Sequence, residues 1–141
     1  MHPWPSHRAL SYLFITIFCL ASVPGAFAWA ADKPLPPEEA RKQVGQQICV
    51  EMLVRVGKDR LEKRGEIYLD SEEDFRDEKN FAIVVTKTGA DDLRAQGIAS
   101  PAEHFQGKRV QARGLVLEVD GVPRIEINSA QQIKLVPETA P

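Results

Sequence analysis

Two alternating runs joined by Asp-Gly constrain this chain's fold more than any other feature. They lie in residues 107–127, GKRVQARGLVLEVDGVPRIEI. Asp120-Gly121 tolerates the positive φ angles of a type I′ turn, so it predicts a tight hairpin between two antiparallel strands. Val110 opens the alternation in the first strand, and Ile125 and Ile127 continue it in the second.

Gly114 interrupts the first of these two strands. A glycine inside a strand pattern favours a bulge or a sharp bend. The inward set is therefore expected to change at Gly114, from Val110 and Ala112 before it to Leu115, Leu117 and Val119 after it.

Three earlier runs have the period of a strand, in which side chains alternate between two faces. The inward residues of the first run are Ile48, Val50, Met52, Val54 and Val56. The second run, EIYLD, places Ile67 and Leu69 inward and Tyr68 outward. The third, FAIVVTK, places Phe81, Ile83 and Val85 on one face. Residues 57–65, GKDRLEKRG, are predicted to form the turn between the first two.

Residues 90–105 lose the two-residue period and are predicted to be helical, in two short pieces. Gly97 suits a left-handed helix cap, with Ile98 folding back on Leu93. Ser100 and Glu103 have the spacing of a capping box at the start of the second piece.

The first thirty residues are predicted to be a secretory signal peptide. Residues 9–23 are apolar and uncharged, and small residues follow in PGAFAWA, so cleavage is expected after Ala28 or Ala30. The protein would then be exported, periplasmic or extracellular, with no stable membrane span. The alternative is an uncleaved N-terminal membrane anchor. Prolines in residues 31–43 predict a linker with a short helix, before a domain at 44–136 and a tail at 137–141.

Charge and reactive residues exclude several function classes. After residue 30 the chain has 17 basic residues, because Arg8 is removed from the total of 18, against 20 acidic ones. A net charge of −3 is not typical of proteins that bind bulk nucleic acid. Cys49 and His104 are the single cysteine and histidine of this part, too few for a zinc site or a disulfide framework and poor support for a catalytic triad. We therefore expect no enzymatic activity, no metal and no cofactor.

The order strand, strand, strand, helix, strand, strand resembles the OB-fold, an oligonucleotide- or oligosaccharide-binding domain. The resemblance covers residues 44–136 and is most specific in HFQGKRVQARGLVLEVDGVPRIEINSAQQIKLV, with its Gly-Lys-x-Val start, central glycine and final Gln-Ile. It implies an all-β, five-stranded Greek-key barrel with a short helix between strands three and four, of a small exported bacterial type. Another small antiparallel barrel or sandwich is the alternative.

The resemblance implies that ligands bind on the face of strands two and three and at the loops joining strands one–two and four–five. Basic residues concentrate at the first of these loops, with one outward aromatic beside them and two outward arginines on later strands. These candidate site residues are Arg55, Lys58, Arg60, Lys63, Arg64, Tyr68, Arg113 and Arg124. The alternative is that the basic residues form an ordinary solvated hairpin.

The acidic run in residues 70–78 lacks the central glycine of an EF-hand calcium loop, so it is interpreted as a solvated loop that repels phosphates. The predicted function is that of an exported, non-enzymatic binding module. Its partner is an envelope protein or a single-stranded nucleic acid; alternatives are an oligosaccharide or a role as an accessory domain of a secreted nuclease system.

Overall fold

The computed structural model describes Pro3 and residues 33–138. Apart from Pro3, the predicted signal peptide at 1–30, and with it the alternative membrane anchor, lies outside the described residues, and so do residues 139–141. Within residues 33–138, no helix is long and apolar enough to cross a bilayer.

Within residues 33–138, seven strands form the sheet, where five were predicted. They are β1 (Gln47–Leu53), β2 (Val56–Arg60), β3 (Glu66–Asp70), β4 (Ala82–Thr86), β5 (Arg109–Val119), β6 (Val122–Ile127) and β7 (Ile133–Leu135). Their order in the sheet is β1-β5-β6-β4-β3-β2, and β7 also pairs with β5. The count is higher because Val54 and Arg55 interrupt the first predicted strand and because residues 133–135 form a strand of their own.

The pairing is antiparallel except between β4 and β6, which run parallel. Two residues link β1 to β2, so the strands at the two ends of the sheet order are consecutive in the chain. A mostly β architecture with a parallel pair, helices between the third and fourth predicted strands and a linked first and last strand is consistent with the predicted OB-like fold.

Four short helices and a 3-10 turn are the other elements of this described part of the chain. They are α1 (Pro37–Ala40), α2 (Leu61–Arg64), α3 (Lys87–Ala95), α4 (Pro101–Phe105) and the 3-10 turn Ala130–Gln132. The two helical pieces predicted in residues 90–105 are therefore present as α3 and α4.

The helix ends differ in part from those predicted. α3 begins at Lys87, earlier than expected, because the Thr86 side chain accepts a hydrogen bond from the Gly89 amide. The predicted capping box at Ser100 is wrong, since Ser100 makes no side-chain cap. A capping box forms instead at Ser129 and Gln132.

The core lies where most of the alternating residues were predicted to point. Its largest fully buried side chains include Phe81, Phe105, Met52, Ile67 and Leu69. In the first predicted strand, Val50, Met52 and Val54 are buried, while Ile48 and Val56 are half-buried at its ends. Because strands and helices contribute to one apolar cluster, burial of this cluster is the main favourable term that holds the sheet together.

The predicted change of face at Gly114 is wrong. Gly114 pairs in regular register with Ile48, and β5 keeps its alternation, so Val116 is fully buried and Leu115 is 41% exposed. A Cβ at Gly114 would lie 2.8 Å from Cγ2 of Ile125. The glycine therefore provides space for a core isoleucine and does not shift the register.

The predicted hairpin turn is confirmed. Asp120 and Gly121 both have positive φ angles, 52° and 77°, as a type I′ turn requires. They join β5 to β6 between Val119 and Val122.

The predicted first turn, residues 57–65, is wrong in its first half. Residues 57–60 belong to β2 and pair with β3, so the connection is limited to the single helical turn α2. Gly65 ends this turn in the left-handed conformation, with a φ of 70°. Lys58 and Arg60 consequently stand on a strand, and Lys63 and Arg64 on the connecting turn.

The segment predicted as a linker is attached to the sheet. The Leu35 amide donates to the Cys49 carbonyl at 2.8 Å, and the Glu51 amide donates to the Leu35 carbonyl at 2.9 Å. α1 follows directly, with Pro37 at its first turn as predicted, and its Ala40 is fully buried.

Candidate binding groove

The outer face of β3 is the centre of a groove on the sheet. Its outward residues are Glu66, Tyr68 and Asp70, two positions apart. Tyr68 pairs with Lys58 on β2 and with Val84 on β4. Cross-strand neighbours of this kind lie about 5 Å apart, so these three side chains form a continuous row across the sheet.

The groove has a volume of about 690 Å³. The three outer strands β2, β3 and β4 form most of its lining, with α2, the 71–80 loop and the β5–β6 hairpin around them. Its lining residues are Lys58, Arg60, Lys63, Arg64, Glu66, Tyr68, Asp70, Phe75, Asn80, Ala82, Val84, Val119, Asp120, Val122 and Arg124.

Six of the eight candidate site residues from the sequence line this groove. Four of them are the side chains of Lys58, Arg60, Lys63 and Arg64, here named the groove cations. Strand β2 and turn α2 hold them at one end, and the turn is fixed because Asp59 Oδ1 accepts a hydrogen bond from the Leu61 amide at 2.9 Å. The groove therefore has a positive end built from two consecutive elements.

Arg124 belongs to a charge network inside the groove. Its Nη2 donates to Glu126 Oε1 at 2.7 Å, and its Nη1 lies 3.5 Å from Glu66 Oε2. The Tyr68 hydroxyl donates to the same Glu66 oxygen at 2.5 Å. Because Arg124 contacts two carboxylates and its side chain is 13% exposed, it orders the groove floor and is less available to an anion than the groove cations.

The same network explains a buried residue on the outer face of the sheet. β4 lies between β3 and β6, so the Arg124 side chain must cross β4 to reach Glu66. Val84 on β4 is fully buried although it lines the groove. The guanidinium thus covers an apolar floor, as arginine side chains often do.

Phe75 is a groove residue that sequence reasoning assigned to a solvated acidic loop. It is 47% exposed and lines the groove beside Tyr68. The Lys58 ammonium lies 5.1 Å from the centroid of its ring, and the Arg76 guanidinium lies 5.3 Å from it, within the range of cation–π attraction. An aromatic residue within a run of charged ones was the available signal.

Asp70 is a buried carboxylate at the end of β3 opposite to Glu66. It is 3% exposed, and its Oδ1 accepts a hydrogen bond from Asn80 Nδ2 at 3.0 Å. Burial raises the pKa of Asp70 above its ordinary value, and the Asn80 hydrogen bond and the nearby Lys58 charge offset only part of this effect.

The pKa of Tyr68 is also raised, so its hydroxyl keeps its proton. Burial raises its pKa, and so does the hydrogen bond to Glu66, while Arg64 acts in the opposite direction. The hydroxyl therefore remains a donor at neutral pH and holds the Glu66 carboxylate.

Two candidate site residues lie outside the groove. Arg55 is exposed on the link between β1 and β2. Arg113 was predicted to point outward beside the first loop, but it is 8% exposed and lines a second cavity with Leu115 and Gln132. Arg113 lies on the face of β5 opposite the core residues Val110 and Ala112, as predicted, but its side chain is buried there.

The described residues offer little for other chemistry. In the part of the chain that the structure describes, no three His, Cys, Asp or Glu side chains are grouped as metal ligands. His104 lies on α4 with its ring 4.8 Å from that of Phe105. Burial lowers the pKa of His104, and the Lys108 charge lowers it further. Cys49 is buried.

Comparison with solved structures finds neighbours that share this architecture over part of their length. One neighbour is a protein described as an aspartyl-tRNA synthetase from Leishmania major Friedlin. It matches with a TM-score of 0.50 and 12% identity, over 82% of this chain and 22% of that one. Asparaginyl-tRNA synthetase from Pyrococcus horikoshii matches with a TM-score of 0.50 and 13% identity, over 74% of this chain and 23% of that one.

The chain spans less than a quarter of the length of either synthetase. At this level of identity the likeness shows the fold alone. Comparisons with protein-family profiles and with curated proteins find no match.

Proposed function

We propose that this protein is a non-enzymatic binding module whose groove holds a single-stranded nucleic acid. The observation that carries the proposal is the meeting of four groove cations and two aromatic side chains, Tyr68 and Phe75, on one face of the sheet. Grooves that bind single strands combine positive charge along the backbone with aromatic surfaces for the bases.

The two kinds of side chain would have separate tasks. The groove cations, on β2 and α2, would contact the phosphates. Tyr68 and Phe75 would stack on bases, a contact worth about 1–3 kcal/mol per base. Because Lys58 already lies against the Phe75 ring, the phosphate and base contacts would be adjacent.

The charges of the groove define how strong this binding can be. Five basic side chains and three acidic ones, Glu66, Asp70 and Asp120, line it, while the whole chain has a net charge of −2. Such a groove suits a short stretch of single strand, and its affinity should fall steeply with salt.

Two further arguments support the proposal. The structural neighbours are tRNA synthetases by name, so the same architecture occurs in proteins that act on RNA. The covalent link between β1 and β2 also fits a closed OB-like barrel, in which the two strands act as one long bent strand.

Export is a separate proposal, which the sequence of the first thirty residues supports. The apolar run and the small residues after it have the order of a signal peptide. An exported protein would meet nucleic acid outside the cytoplasm, and an envelope protein partner would be the outcome if the groove binds no oligonucleotide.

The test is fluorescence anisotropy of the purified protein with a labelled single-stranded oligonucleotide of mixed sequence, at several salt concentrations. A variant in which all four groove cations are replaced by alanine should bind more weakly. Each lost phosphate contact on a single strand reduces the slope of log affinity against log salt by about 0.7, so the slope should fall by up to about 3.

A matched control removes four exposed cations that do not line the groove. These substitutions are Lys42→Ala, Lys87→Ala, Arg94→Ala and Lys108→Ala. The control has the same net charge as the groove variant. If binding depended only on general electrostatic attraction, the oligonucleotide affinity of both variants would fall equally. Equal weakening, or no binding by the unaltered protein at low salt, would refute the assignment of the groove.

A further inference from the structure

We infer that the groove selects bases that carry an exocyclic amino group, and so prefers cytosine to uracil, through the carboxylate of Glu66. This inference rests on the proposed function, because it concerns the edge of a base that stacks in the groove.

The spacing of β3 places the Glu66 carboxylate beside the stacking surface. Glu66 and Asp70 precede and follow Tyr68 by two residues on the same face of the strand, and all three line the groove. Same-face neighbours on a strand are about 6.6 Å apart. A base that stacks on Tyr68 therefore has the accessible Glu66 carboxylate on one side along the strand, and the buried Asp70 on the other.

Glu66 is held in position and still has acceptor capacity. The Tyr68 hydroxyl and Arg124 Nη1 both contact its Oε2, so two donors fix one oxygen of the carboxylate. The Glu66 side chain remains 25% exposed. Its Oε1, which neither of these donors contacts, is the atom that a base donor would reach.

The Asp70 carboxylate is ordered in a similar way. Asn80 Nδ2 donates to its Oδ1, and the Asn80 side-chain oxygen in turn accepts from the Glu72 amide at 3.1 Å. The 71–80 loop therefore fixes Asp70 through Asn80, and because Asp70 is buried, Glu66 is the acceptor that a base can reach.

An ionised carboxylate only accepts hydrogen bonds. At position 4 of the pyrimidine ring, cytosine presents an amino donor and uracil presents a carbonyl acceptor. Cytosine would donate its amino group to the Glu66 carboxylate. Uracil offers only its N3–H as a donor, and the two carbonyl oxygens that flank it would repel the carboxylate. The carboxylates also repel phosphates, which keeps the backbone near the groove cations on β2 and directs the base edge toward β3.

The experiment compares labelled oligo(dC) and oligo(dU) of equal length by anisotropy with the full protein at pH 7.5. These two probes differ in their bases only in the groups at positions 3 and 4, and neither carries a 5-methyl group. We expect oligo(dC) to bind about tenfold more tightly, the effect of one hydrogen bond to a charged group.

The variant Glu66→Gln keeps the size of the side chain and removes the charge. It should reduce the dC-to-dU affinity ratio to about two or less, mainly by improving the binding of oligo(dU). Glu103→Gln is the matched control, because Glu103 is exposed on α4 and does not line the groove. It should leave the ratio unchanged.

Equal affinity of the unaltered protein for the two oligonucleotides would overturn the inference and leave the proposed groove in place. The same holds if the ratio is unchanged in Glu66→Gln. Absence of binding to both probes at low salt would overturn the proposed function itself, and the inference with it. The comparison in the unaltered protein does not depend on whether a variant folds.

Discussion

Replacing Gly57 by alanine is expected to destabilise the protein strongly, although alanine is usually the better residue in a strand. Gly57 lies on β2 directly beneath α4. An added Cβ would lie 2.3 Å from the Ala102 carbonyl oxygen and 2.9 Å from its carbonyl carbon. The first distance is about 1 Å less than the 3.4 Å at which ordinary contact begins, and both atoms are backbone.

α4 cannot easily move away from this clash. Its Phe105 is 2% exposed in the core, the Gly57 amide donates to Gln106 Oε1 at 3.0 Å, and the Gly107 amide donates to the Val54 carbonyl at 2.7 Å. A shift of about 1 Å would strain these contacts. Overpacking of this kind costs about 1–3 kcal/mol or somewhat more, and for a backbone clash we expect the upper value, about 3 kcal/mol.

The assay is thermal unfolding followed by circular dichroism. For a domain of about this size, 1 kcal/mol corresponds to about 4–8 °C, so Gly57→Ala should lower the Tm by about 12–24 °C. The control Arg55→Ala changes an exposed side chain two residues earlier and should change stability by less than about 0.5 kcal/mol.

Without the clash, Gly57→Ala would stabilise by about 0.4–1 kcal/mol, since alanine restricts the unfolded chain. A Tm equal to or above that of the unaltered protein would therefore refute the packing of α4 on β2.

Two further substitutions test the core and the groove. Gly114→Val should destabilise by about 1–3 kcal/mol, because its Cβ would lie 2.8 Å from Ile125 Cγ2; a tolerated valine would contradict the close packing of β5 on β6. Asp70→Asn should raise the Tm at pH 7 and lose this advantage as the pH falls toward 4. Burial raises the pKa of Asp70, so its stabilising contribution is complete below its ordinary pKa and is lost as the pH rises through the raised value. Asparagine cannot ionise and still accepts from Asn80; Tm measured from pH 4 to 8 checks this, and an advantage that grows in acid would contradict it.

Local periodicity was enough to predict most of the sheet. In the first predicted strand, every second residue was expected to face the core, and Val50, Met52 and Val54 are buried in the structure. Asp120-Gly121 predicted its turn because few residues accept positive φ angles. These are short-range properties, which depend on side-chain direction and backbone conformation within a few residues.

The prediction at Gly114 shows where such reasoning stops. A glycine in a strand is compatible with a bulge or with a close neighbour, and the sequence does not distinguish them. The neighbour, Ile125, lies on the adjacent strand, and its distance from Gly114 is known only once the two strands are paired. Arg113 keeps the predicted face, and its burial there is a tertiary feature that the alternation does not record.

The sequence predicted the basic residues of the groove and one of its aromatic residues, Tyr68. It did not predict the contacts between the groove side chains. The groove cations are close in sequence, so their proximity could be foreseen. Phe75 reaches the groove through a loop, where it meets Lys58 from β2. Arg124 reaches Glu66 across β4, from a residue 58 positions away in the chain.

The sequence by itself therefore determined most of the residues that face the core, the position of the hairpin turn and the place where positive charge concentrates. Each of these depends on neighbours along the chain. Only the tertiary structure decided that Arg124 contacts the carboxylate of Glu66 across β4, and that Phe75 and Tyr68 line one groove. These features arise where segments distant in sequence are brought together by strand pairing and core burial, and no local pattern records which segments will meet.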